Sequence, residues 1–168
     1  MKEVHLVAVG KLKDQALESL EQEYLGRLSL PKVSIFDVKT RGDREEEGTE
    51  VVSKIESLCR DSSAYVILLE EQGKKMDSPK FSEWFYTLLE KRKEKIFFVL
   101  GGAEGHGERV KKMAHESLSL SSMTFPHKLA RILLIEQIYR AQTIETKHPY
   151  HKSNIRYKIS VSLINHYS

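Results

Sequence analysis

A single cysteine, Cys59, stands in the whole chain, so no disulfide can close within it. Long apolar runs are also missing. Stretches such as Ile132–Ile135 fall far short of the roughly 20 residues that cross a bilayer. No secretory signal pattern opens the sequence, which points to the cytoplasm. Only four prolines and nine glycines are present, and they nowhere gather into a linker. No internal repeat suggests a second domain. His127, His148 and His151 lack the cysteine or carboxylate company that a metal site needs, and Pro149 and Tyr150 stiffen the His148–His151 spacing. No metal is expected. A nucleophile elbow and a Walker lysine are likewise absent. What is there is ordinary: 40% hydrophobic, 30% charged, with a formal charge of +3. That charge permits an anionic partner without demanding one.

The hydrophobic pattern alternates between two periods. Val4–Val9, Val33–Val38, Ala64–Leu69 and Ile96–Leu100 are short β-rich runs. Between them, apolar residues recur at helical spacing over Gln15–Leu28, from Val51 to Cys59, and from Phe81 to Leu89 after the Ser78-Pro79 start signal. A short helix over Glu108–His115 and a strand over Leu118–Leu120 follow, then a long helix over Lys128–Glu145. The charge run Lys39–Glu50 reads as a solvated loop, with Lys39 and Arg41 as its candidate RNA contacts, and Glu70–Ser78 reads as a second loop. Strand–helix alternation with strands lacking polar alternation predicts an α/β domain: a mainly parallel sheet with helices on both faces. Ligands in such sheets gather at the C-terminal ends of strands. The loops after Leu69 and Leu100, and the segment Ser119–Pro126, are therefore the candidate site.

Gly101-Gly102-Ala103-Glu104-Gly105 follows a buried strand but matches no dinucleotide fingerprint. Its glycines either let backbone approach a flat cofactor or supply positive φ in a turn. The tail Lys147-His148-Pro149-Tyr150-His151-Lys152 packs bases, rings and cations into six residues. It reads as a site for an anionic, aromatic substrate, or as a basic terminus.

These motifs occur in one order: Gly10-Lys11-Leu12-Lys13, Gln72-Gly73-Lys74 with Ser78, the Gly101–Gly105 turn, Leu118–His127, Arg131, Glu136-Gln137, Tyr139-Arg140-Ala141 and His148–Lys152. Together they resemble the RlmH family, a branch of the SPOUT class of methyltransferases, over Met1–Lys152. The resemblance implies a single domain over residues 1–152 with a C-terminal trefoil knot, which no periodicity argument would suggest. It implies a homodimer that transfers a methyl group from S-adenosylmethionine to N3 of a pseudouridine in large-subunit (23S) rRNA, on assembled ribosomes. The cofactor would lie among Leu69, Gly101, Gly102 and the segment Leu120, Ser121, Ser122, Met123, Thr124, Phe125 and Pro126. His151 would be the first choice of general base and Tyr150 the second, with Arg140 steadying the developing ring anion. His148, Lys152 and Arg131 would contact RNA.

Arg131 and Arg140 lie nine positions apart, on opposite helix faces, so one would serve each subunit's own site and the other the partner's. The Lys128–Glu145 helix is apolar nearly all round, which also predicts a second copy. Ser153–Ser168 continues past the family pattern, with a strand-like alternation of Ile159, Val161 and Leu163. Its role is unassigned. Two other readings compete with the enzyme: a catalytically silent RNA-binding module on the same scaffold, and a nicotinamide-dependent oxidoreductase with an atypical glycine turn.

Overall fold

The computed structural model describes residues 3–153; the alternating Ser153–Ser168 segment otherwise lies outside them. Five strands form one sheet: β1 (Val4–Val9), β2 (Val33–Val38), β3 (Ala64–Lys75), β4 (Lys95–Leu100) and β5 (Glu116–Ser119). Their order across the sheet is β2-β1-β4-β3-β5, and every pairing is parallel. Six helices accompany them: α1 (Gln15–Arg27), α2 (Arg44–Cys59), α3 (Ser78–Lys91), α4 (Glu108–Met113), α5 (His127–Glu145) and α6 (Tyr150–Ser153).

Side chains alternate across the sheet and build two cores. Val4, Leu6, Ile67, Ile96, Phe98 and Leu100 pack with Phe81 and Phe85 of α3 and Leu134, Ile135 and Ile138 of α5. The opposite residues Val7, Val9, Val66, Leu68, Phe97 and Val99 pack with Val51, Val52 and Ile55 of α2 and Val110 of α4. Helices thus cover both faces, and the central strands are buried on both, which is why they carry no polar alternation.

Three local expectations are corrected. Most of the Lys39–Glu50 charge run is helix, because α2 starts at Arg44. Asp43 caps it, its Oδ1 accepting the N–H groups of Glu45 (2.8 Å) and Glu46 (3.0 Å). Glu45, Glu46 and Glu47 then sit in the first turn, where negative charge opposes the helix dipole favourably. Second, β3 does not stop at Leu69. It pairs with β5 up to Leu69↔Leu118, slips, and resumes at Lys74↔Leu118. Residues 70–73 form the irregularity, and Gly73 lies so close to β5 that a Cβ there would stand 2.6 Å from the Leu118 backbone. Third, β5 occupies Glu116–Ser119 rather than Leu118–Leu120, so Leu120 belongs to the loop that follows.

Candidate functional site

The C-terminal ends of β3, β4 and β5 lie side by side, and the chain leaves each of them toward the same cavity of about 580 Å³. β3 contributes Leu69 and, from its irregularity, Glu70 and Glu71. β4 contributes its last residue, Leu100, and the whole Gly101–Gly105 turn and His106 follow it. Ser119 at the end of β5 and then Leu120, Ser121, Met123, Thr124, Phe125 and Pro126 close the other side, with His127 and Ala130 of α5 as the floor. Three segments separated by tens of residues therefore meet where the parallel-sheet rule places a ligand.

Of the ten residues expected to hold a cofactor, nine line this cavity. Ser122 does not; it is exposed in the loop. The walls combine apolar surface (Leu69, Leu100, Leu120, Phe125) with charge of both signs, Arg44 and Lys111 against Glu70, Glu71 and Glu104. Ser119 Oγ donates to the Ser121 carbonyl at 2.9 Å, and Ser121 Oγ accepts the Met123 N–H at 3.0 Å. These hydroxyls shape the loop itself.

The glycine turn is tight for reasons internal to the protein. The Gly105 N–H donates to the Gly102 carbonyl at 3.1 Å, and Gly105 has φ +79°. A Cβ on Gly101 would stand 2.9 Å from the Gly105 backbone. On Gly102 it would meet Val9 Cγ1 at 3.1 Å and the buried Glu47 carboxylate at 3.3 Å. Gly101 is thus demanded by backbone alone, whereas a side chain at Gly102 would press on Val9 and Glu47.

A second cluster lies at the other end of α5. Arg140 donates through Nε (3.0 Å) and Nη2 (2.6 Å) to Glu136 Oε1, and Tyr150 Oη donates to the same oxygen at 3.1 Å. The Arg140 guanidinium stacks on the Tyr150 ring at 4.9 Å. Its Nη1 points to His151 Nδ1 at 3.3 Å. Arginine can only donate, so the His151 Nδ1 lone pair accepts. Burial, then the hydrogen bond with Tyr24 and the nearby Glu136 carboxylate, hold the Tyr150 phenol well above its ordinary range. The structure thus brings Arg140, Tyr150 and His151 together. His148 is exposed beside them, its Nδ1 accepting the Tyr150 N–H at 3.2 Å. Lys152 belongs to α6 by its backbone; its side chain is outside the described atoms.

Arg131 goes elsewhere. It is 6% exposed, and its Nε and Nη2 donate to both oxygens of buried Glu21, at 2.6 and 2.9 Å. Nη1 donates to Asp37 at 2.5 Å. With Nε, Nη1 and Nη2 each bonded to a carboxylate, the Arg131 guanidinium is committed to Glu21 and Asp37 in this arrangement. It ties α5 to α1 and β2. The loop cation Arg41 is also engaged, with Glu50 at 2.5 Å.

The residue that sequence reasoning passed over is His106. It is 7% exposed at the cavity wall, and its Nε2 lies 2.8 Å from the Leu69 carbonyl oxygen. Its one available signal was position, directly after the glycine turn.

Comparison with known proteins bears on the family and the fold. A family model described as predicted SPOUT methyltransferase matches residues 1–151. The ribosomal RNA large subunit methyltransferase H of Acholeplasma laidlawii is 39% identical over 150 residues, covering 89% of this chain and 99% of its own. The protein of the same name from Bacillus cytotoxicus is 37% identical with the same coverage. Among solved structures, the tRNA (m1G37) methyltransferase of Aquifex aeolicus superposes with a TM-score of 0.54 at 17% identity, over 83% of this chain and 70% of that one. A probable methyltransferase from Bordetella pertussis Tohama I gives 0.53 at 9% identity, over 83% and 94%. At these identities the two structures speak to the fold alone.

Proposed function

The chain belongs to the SPOUT methyltransferase family, and on that premise we propose that it methylates N3 of a pseudouridine in large-subunit ribosomal RNA, with S-adenosylmethionine as donor. The observation that carries this reading is the convergence of Leu69, Gly101, Gly102 and the Leu120–Pro126 loop on one cavity. Its volume suits a nucleoside-sized ligand. The apolar walls fit an adenine, and flanking charges of both signs fit an amino-acid end that carries both. The named relatives, which are ribosomal RNA methyltransferases, support the substrate.

When bound, S-adenosylmethionine supplies a methyl group on a sulfonium, a leaving group that needs no further activation. The protein then has two tasks, alignment of the ring nitrogen and removal of its proton. Tyr150 is the weaker candidate for base, because its Oη already donates to Glu136 and burial pushes its phenol above the ordinary range. Arg140 Nη1 turns from His151 Nδ1 to a carbonyl oxygen of the target base, and the freed Nδ1 takes the N3 proton as negative charge develops on that oxygen. Glu136 keeps the guanidinium in place meanwhile through Nε and Nη2. The bound cofactor would supply the methyl carbon to N3 with its sulfur as leaving group, and the proton would stay on His151. Tyr150 and the exposed His148 offer rings to the target base, with Lys152 for phosphate.

Cavity and tail cluster cannot meet within one chain. His127 and Arg140 are thirteen residues apart on one continuous helix, about 20 Å along its axis. The site is therefore assembled by a homodimer in which the tail of one protomer serves the cavity of its partner. Leu129 and Leu133, 43% and 37% exposed and one turn apart on α5, provide apolar surface for that contact.

Mapping of ribosomal RNA by nuclease digestion and mass spectrometry, in cells with and without the gene, tests the activity. One pseudouridine of the large subunit is expected to lose 14 mass units, about one methylene. An unchanged methylation pattern would contradict the proposal.

A further inference from the structure

His106 lies between Gly105, whose positive φ strains any other residue, and Gly107, where a Cβ would collide with backbone. Gly105 has φ +79°, and a Cβ on Gly107 would stand 2.5 Å from the Arg44 carbonyl oxygen. The backbone that carries the imidazole is therefore pinned on both sides. The ring is buried, lines the cavity and bonds the Leu69 carbonyl through Nε2 at 2.8 Å. A carbonyl can only accept, so Nε2 carries the hydrogen and Nδ1 keeps its lone pair. Among the described residues Nδ1 has no hydrogen-bond partner. The result is an oriented, unused acceptor at the wall of the cavity, held by the same carbonyl-bearing residue that ends the regular β3–β4 pairing.

We propose that His106 is a positioning residue for the adenosine-containing ligand of this cavity: its Nδ1 accepts a hydrogen bond from an N–H or O–H of the bound ligand, while Nε2 holds Leu69 in place. This rests on the function proposed above for the cavity. The acceptor exists only in the neutral imidazole. Protonation would turn Nδ1 into a donor, so binding and protonation of His106 oppose each other. Burial lowers the tendency of the ring to protonate, and Lys111 adds to this; Glu70 and the Leu69 bond act the other way. Arg44, Glu71, Glu104 and His127 complete the charged and titratable groups around the cavity. Affinity is thus flat through the ordinary imidazole range and falls only as the pH drops below it.

The test is calorimetric titration of the full-length protein with S-adenosylhomocysteine at pH 8 and pH 5, for the wild type, His106→Leu and His106→Gln. Leucine removes the acceptor, and a loss of about tenfold in affinity at pH 8 is expected. Glutamine can donate to Leu69 and still present an acceptor without titrating. It should bind within about threefold of wild type at pH 8 and lose the part of the pH dependence that His106 causes. Thermal unfolding confirms that each variant is folded; if His106→Leu is not, the pH profile of His106→Gln decides. A folded His106→Leu with wild-type affinity, or a fall in affinity toward pH 5 as steep in His106→Gln as in the wild type, overturns the role of His106 and leaves the function intact. Failure of the wild type to bind at pH 8 overturns both.

Discussion

At the scale of single residues, two arginines of one helix have opposite fates. Arg131 is locked into Glu21 and Asp37, whereas Arg140 keeps one guanidinium nitrogen directed at His151. Truncating one member of a buried ion pair leaves the other charged and unpaired, a cost of roughly 3–5 kcal/mol. Arg131→Ala is therefore expected to lower stability by about 3 kcal/mol or more in urea denaturation. A variant of wild-type stability that binds ribosomes weakly would instead restore Arg131 to the RNA surface. For His151→Ala, affinity for S-adenosylmethionine should stay within about threefold, and methyl transfer should drop by roughly 10²–10⁴-fold. A drop confined to ribosome binding would demote His151 to a substrate contact. The ion pair of Arg131 was invisible in the sequence, because its partners lie 110 and 94 positions away. Nothing local distinguishes a buried arginine from one that faces RNA. His106 was missed for a related reason: its burial and its bond to Leu69 exist only once β3 and β4 are paired.

Elements were more legible than residues. Strand–helix alternation, unbroken apolar strands and the Ser78-Pro79 start signal led to the parallel sheet with helices on both faces. The start of α2 was hidden because its first turn is a run of acidic residues with no apolar stripe, although Asp43 before three glutamates is a capping signal in its own right. The continuation of β3 was hidden because Glu70-Glu71-Gln72-Gly73 is loop-like in composition, and only contact with β5 makes it a strand with an irregularity. That irregularity supplies Glu70 and Glu71 to the cavity, so its integrity matters to the site. Gly73→Ala would place a Cβ within 2.7 Å of three backbone atoms of β5. It is expected to cost about 1–3 kcal/mol and to weaken cofactor binding by moving β5. Gly26→Ala, in α1 with nothing within 4 Å, is the matched control and should be neutral or slightly stabilising. Equal denaturation midpoints for the two variants would show that β5 has room to move.

At the scale of the molecule, α5 is both floor of the cavity and base of the tail cluster, and its length separates the two. Composition predicted a second copy from apolar residues all round this helix. In fact one chain buries most of them, and Leu129 and Leu133 remain as the exposed pair. The central claim is that a methyl-transfer site is made from the cavity of one protomer and the tail of the other. Mixed dimers test it directly. Gly102→Trp, whose side chain would drive the glycine turn off Val9 and Glu47, disables the cavity; His151→Ala disables the tail. Each variant alone should be inactive on ribosomes purified from cells without the gene. Co-refolded in equal amounts, half the dimers carry one of each. Each such dimer has one site with both parts intact, so about a quarter of wild-type methyl transfer should return. No return of activity in a mixture shown to contain mixed dimers, or full activity from a wild-type monomer in light scattering, would contradict the account.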